Sequence, residues 1–161
     1  MIKISIDTGR VQEALSRVEH ATGDLRPALN AIAAELVSQT EANFAAQGRP
    51  RWDDLKPATI AQRQKRGTWP GKILQVSAGG LAASVSTEVG ATFVRVGSDK
   101  KYGAIHQLGG DAGRGRKVHI APRPFLPFTG EPDSGRGKLQ PEAEEAVLDI
   151  VLDHLKRAAG V

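Results

Sequence analysis

Tyr102, His106 and Gln107 stand within six residues of one another in YGAIHQLGG (102–110), and each can hydrogen-bond or handle a proton. A histidine so placed could serve as a general base. That role needs a substrate pocket and an acid that orients the ring. The nearest acids in the sequence, Asp99 and Asp111, fall outside the stretch, and no GxSxG elbow offers a nucleophilic serine. The same residue types are what a fold uses to satisfy buried backbone groups. The expectation is therefore that Tyr102, His106 and Gln107 are structural pins, with Trp52 anchoring a loop of its own. No catalytic residue is assigned.

Other chemistries have less support. His20, His106, His119 and His154 show no helical ligand spacing, and HExxH is absent, so neither a metal nor a cofactor is expected. GGDAGRGRK (109–117) has glycines and a lysine but lacks the Walker pattern. It reads as a mobile basic loop. With no cysteine in the chain, disulfides and thiolate zinc sites are excluded.

Charge is the stronger signal. Residues 49–123 hold 14 Lys/Arg against 5 Asp/Glu, whereas the two flanks together are acidic. Arg63, Lys65, Arg66 and Lys72, then Lys100 and Lys101, then Arg114, Arg116 and Lys117 form three basic clusters expected to face DNA or an acidic partner. No recognition helix or stacking-aromatic motif accompanies them. An acidic flank of another copy of the chain would serve as well as DNA.

These residues need elements to hold them. A chain of 161 residues predicts one domain, and an aromatic content of 4% predicts an aliphatic core. IKISID (2–7) alternates as a strand. Val11, Leu15 and Val18 follow at helical spacing. Asp24 caps a longer second helix carrying Leu29, Ile32, Leu36 and Phe44, which Gly48 and Pro50 stop. Pro57 opens a short basic helix. ASVSTEV and TFVRVGS read as strands joined near Gly90. Residues 101–108 form a short helix ended by Gly109-Gly110. Residues 110–119 and 129–138 are expected to be flexible. Between them IAPRPFLPF (120–128) is too proline-rich for a central strand. It reads as an extended arm whose Phe125, Leu126 and Phe128 each gain ~1.5–3 kcal/mol on full burial. Arg123 and Pro124 stiffen it, and the arm is expected to dock on a neighbouring subunit, to close its own core, or both. The last helix starts at Pro141, with Glu142, Glu144 and Glu145 at its positive end and Lys156 and Arg157 at its negative end. MIKISIDTGR has no signal-peptide apolar run, and no apolar stretch is long enough to span a membrane.

Four of these segments resemble the phage virion morphogenesis family of tailed bacteriophages. WDDLKPAT (52–59) and KILQVSAGGLAASV (72–85) are similar to two of its weaker motifs. YGAIHQLGG and IAPRPFLPF are similar to its two specific ones, with departures at Leu108 and at Ala121-Pro122. Order and spacing hold from about residue 10 to 157. The resemblance implies a structural virion protein and no enzyme. It implies a homo-oligomeric ring, expected to be a hexamer, at the head–tail junction. The ring would contact neck and tail-tube proteins, touch channel DNA through its basic loops, and assemble in the host cytoplasm. The alternatives are a capsid-assembly factor not retained in the virion, a DNA-binding protein, and a hydrolase centred on His106. The expected fold is α+β. A small, mainly antiparallel sheet packs against two N-terminal helices and the C-terminal helix, with long extended loops and an arm.

Overall fold

A computed structural model of the chain describes residues 23–130 and 137–159, together with Gly9, Gln12, Glu13 and Ser16. The strand expected over 2–7, the apolar positions Val11, Leu15 and Val18, residues 131–136 of the second loop and Gly160 lie outside the described residues. Gly9, Gln12, Glu13 and Ser16 are helical and exposed.

Helix α1 (Arg26–Ala46) follows from an apolar repeat of three and four residues. Leu25, Leu29, Ile32 and Leu36 are all buried along one stripe. Asp24 accepts the Arg26 N–H at 3.0 Å, which satisfies one donor of the first turn. The helix closes through Gln47 in the left-handed region, and Gly48 N–H returns to the Asn43 carbonyl at 2.8 Å. Gly48 has a φ of 101°, and a Cβ there would collide with the Trp52 indole. Only glycine lets the chain turn against that ring.

Helix α2 (Pro57–Lys65) is short and mostly exposed. Strands β1 (Val85–Val89) and β2 (Val94–Ser98) form a hairpin, and Gly90 N–H closes its turn on the Phe93 carbonyl at 2.8 Å. Helix α3 (Gly103–Leu108) ends at Gly109, whose φ of 74° and close approach to Pro122 leave no room for a side chain. The strands pair antiparallel, as expected, and among the described residues they form three two-stranded ladders. The second pairs β3 (Gly110–Ala112) with β4 (Val118–Ile120), so residues 110–119 fold as a small hairpin rather than an open loop. The third pairs β5 (Phe128–Thr129) with β6 (Lys138–Leu139). Helix α4 (Pro141–Ala159) completes the chain, with Ala143, Val147 and Val151 buried.

The core has two clusters. In one, Leu25, Leu29, Ile32 and Leu36 of α1 meet Val147 and Val151 of α4. In the other, Phe44, Trp52, Ile73, Leu81, Phe125, Leu126 and Phe128 pack together. Val96 and Leu139 touch both clusters and join them. The β1–β2 hairpin thus lies over α1, as an α+β packing requires.

Candidate functional site

Between its two ends, where Ile120 and Phe128 pair in short ladders, the arm is extended and largely buried. Pro122, Pro124 and Pro127 cannot donate, which keeps the stretch between those ends out of a sheet. Its remaining backbone groups still need partners. Gln107 supplies four of them. Its Oε1 accepts the N–H groups of Phe125 at 3.0 Å and Leu126 at 2.9 Å. Its Nε2 donates to the carbonyls of Phe128 at 3.0 Å and Leu126 at 3.5 Å. One side-chain amide here does the work of a neighbouring peptide. The backbone of α3 adds another bond, because Arg123 N–H donates to the His106 carbonyl at 2.6 Å.

A second set of polar side chains holds the other side of the arm. Asn43, fully buried in α1, donates to the Phe125 carbonyl at 3.2 Å and to Gln140 Oε1 at 2.9 Å. Arg49 donates to Asn43 Oδ1 at 2.8 Å and to Gln39, and Gln140 Nε2 donates to the Arg49 carbonyl at 2.7 Å. Trp52 Nε1 donates to the Pro124 carbonyl at 3.0 Å, and its ring meets Phe44 edge-on. Gln107 and Trp52 thus each hydrogen-bond the backbone of the arm. Asn43, Arg49 and Gln140 were not singled out by sequence. The signal available was three polar residues beside apolar positions that the fold buries.

Two other expected placements need correction. Phe125, Leu126 and Phe128 have no exposed surface, so their side chains fill the chain's own core and leave nothing for a neighbour to cover. Arg123 likewise spends its guanidinium on the carbonyls of Asp53 and Asp54 at 3.1–3.2 Å. Arg63 does not face a partner. It is buried, and donates to the carbonyls of Thr68 at 3.1 Å, Lys72 at 2.9 Å and Ile73 at 3.2 Å. A planar fork with several donors suits a loop whose carbonyls lack partners, whereas a solvated surface makes no such demand. Lys65, Arg66, Lys101, Arg114, Arg116 and Lys117 are exposed, and Lys100 is half-exposed.

His106 sits beside a cleft of about 270 Å³ with Arg63, Arg123, Ser77 and Tyr102 also on its walls. Burial, and next the charge of Arg123, push its pKa below the ordinary 6.5. The ring is neutral at pH 7, and its Nδ1 is buried without a hydrogen-bond partner. Tyr102 meets it edge-on at 5.9 Å and stays half-exposed, so Tyr102 covers the ring rather than locking it. Among the described residues no carboxylate lines the cleft.

The described sequence aligns with known proteins along nearly its whole length. Residues 6–156 match the model of the phage virion morphogenesis family. The chain is 34% identical over 157 residues to a Mu-like prophage FluMu G protein 2 of Haemophilus influenzae, covering 97% of both chains. It is 32% identical over 161 residues to a putative capsid assembly protein G of Escherichia phage Mu, covering 98% of this chain and 96% of that one. No solved structure matches it.

Proposed function

The chain belongs to the phage virion morphogenesis family, and from that premise we propose that it is a structural protein of the head–tail junction. Copies of it form a ring, a hexamer in this reading, that joins the tail to the DNA-filled head. The observation that carries the reading is the match over residues 6–156, which contains the YGAIHQLGG and IAPRPFLPF segments and the clamp between them. It acts through surfaces and not through chemistry. The exposed cations from Lys65 to Lys117 serve neighbouring neck and tail-tube proteins or the DNA in the channel. The chain is assembled in the host cytoplasm and resides in the virion.

A second reading has its own support. The phage Mu relative is named as a capsid assembly protein, which favours a factor that leaves before the particle is finished. Native mass spectrometry of the purified chain, alone and with tail tubes, tests the first reading. A hexamer, or a monomer that becomes a ring on the tube end, is expected. A lasting monomer that ignores tubes, and that is missing from purified virions, would move the assignment to the second.

A further inference from the structure

Two exposed surfaces show no ion pair to a neighbouring element among the described residues, and their chemistry is opposite. The first is the outward face of α4. Leu148 and Leu152 lie one turn apart and are 40% and 50% exposed, on a helix whose other face is buried against α1. Carboxylates flank them, and Lys156 follows one turn after Leu152. Glu142 and Glu144 lie in the first turn, where the helix dipole favours acids, and Glu145 and Asp149 continue the acidic face toward Leu152. No ion pair involves any of these four among the described residues.

The second surface is the β3–β4 hairpin. Gly113, Gly115 and Arg116 take left-handed φ values, so Arg114, Arg116 and Lys117 crowd into one tight turn. All three are exposed and none has a carboxylate partner among the described residues. Asp111, the acid nearest in sequence, is held at the hairpin base by His119 at 3.0 Å. Beside the cations Val118 is 52% exposed.

We propose that the β3–β4 hairpin of one copy seats on the outward face of α4 of the next. Val118 covers Leu148 and Leu152, while Arg114, Arg116 and Lys117 meet Glu145, Asp149 and the first-turn acids. Double-stranded DNA would satisfy the cations, but it would leave the acidic, leucine-bearing face open. A second copy accounts for both surfaces at once. The hairpin is fastened beside the loop before α2, where Lys56 donates to the His119 carbonyl at 3.1 Å, while α4 rests on α1. Each copy therefore gives its hairpin to one neighbour and its helix to another. Such a head-to-tail contact closes into a ring when the rotation allows. The inference rests on the reading that copies of the chain associate, and it names the surfaces through which they do so.

The test uses the full-length chain and two charge reversals, Arg114→Glu/Arg116→Glu/Lys117→Glu on the hairpin and Glu145→Lys/Asp149→Lys on the helix. Association is read by native mass spectrometry. Carbodiimide coupling of mixed light- and heavy-nitrogen wild-type copies then identifies the contact without any variant. Lys117 is expected to couple to Glu145 or Asp149 across copies. Each reversal alone should weaken association at least tenfold. Mixing the two variants should restore it, because each then offers what the other lacks. If wild-type copies associate but the reversals change nothing, or couplings map elsewhere, the inference falls and the ring reading stands. If wild-type copies never associate, even on tail tubes, the ring reading falls and the inference with it. A hairpin reversal that abolishes only retention on duplex DNA would overturn the inference in favour of a phosphate contact.

Discussion

The arm (Arg123–Phe128) and the β3–β4 hairpin are near neighbours in the chain, rich in the residues that break regular structure, and opposite in fate. The arm has prolines that keep all but its last residue out of a sheet, yet its Phe125, Leu126 and Phe128 are completely buried. The hairpin has glycines that allow it a sheet, yet its tip is all exposed charge. The difference lies in who satisfies the backbone. The hairpin satisfies itself by pairing its two strands. The arm relies on side chains from elsewhere, namely Gln107, Asn43 and Trp52. A segment that pairs with itself can stand out in solvent and be used as a tool. A segment that cannot must be sunk into the core and becomes part of the scaffold.

That contrast can be broken by mutation. The largest effect is expected for Phe125→Asp, which puts a charge where no exposed surface exists. The cost should exceed about 4 kcal/mol, a large part of a domain's ~5–15 kcal/mol, and soluble folded protein should be lost in a circular-dichroism melt. A variant that stays folded would show that the arm is not scaffold. Next is Gln107→Ala, which strands the N–H groups of Phe125 and Leu126 and the carbonyl of Phe128. At ~1–3 kcal/mol for each unsatisfied group, denaturant unfolding should show a loss of roughly 3 kcal/mol or more. Gln107→Glu keeps the acceptor but turns a buried carboxylate oxygen toward the carbonyls of Phe128 and Leu126, so at neutral pH it should be at least as destabilising as Gln107→Ala.

Reversing the hairpin tip should be the mirror image. Its stability is expected to stay within about 0.5 kcal/mol of wild type by the same denaturant titration. A large destabilisation would mean that the hairpin is scaffold too. The smallest effect concerns His106. Its folded pKa is lowered, so below the ordinary value of 6.5 the unfolded chain binds the proton more readily. Stability should be flat above that value and fall as pH drops below it, toward the folded pKa. His106→Asn should flatten that part of the profile in melts taken across mildly acidic pH.

The long helices and the β1–β2 hairpin were readable because each is a local pattern. Leu29, Ile32 and Leu36 repeat at helical spacing, Pro141 and its glutamates open α4, and Gly90 marks a turn. Gln107 was readable as a pin from its place in a short motif before a glycine pair. What was not legible is set by distance. Asn43 and Gln140 are separated by 97 residues, and nothing near either one announces the other. Arg63 looked like one more surface cation because its partners are backbone carbonyls, which every sequence contains and none displays. The antiparallel pairing expected takes the form of three short ladders among the described residues, and the prolines of the arm separate β3–β4 from β5–β6.

The long-range pairing of α1 with α4 has a consequence for how the protein is made. Among the described residues, the apolar stripe of Leu29, Ile32 and Leu36 is covered partly by Val94 and Val96 of the β1–β2 hairpin and partly by Val147 and Val151 of α4. A ribosome adding ~5–20 residues per second needs on the order of 5–25 s to travel from the stripe to Val147 and Val151. Until then the nascent helix lacks its α4 cover, and closing so long a loop is slow in its own right. Synthesis in a crowded infected cell should therefore depend on holdase chaperones, and a transcript cut short before codon 147 should yield an insoluble product.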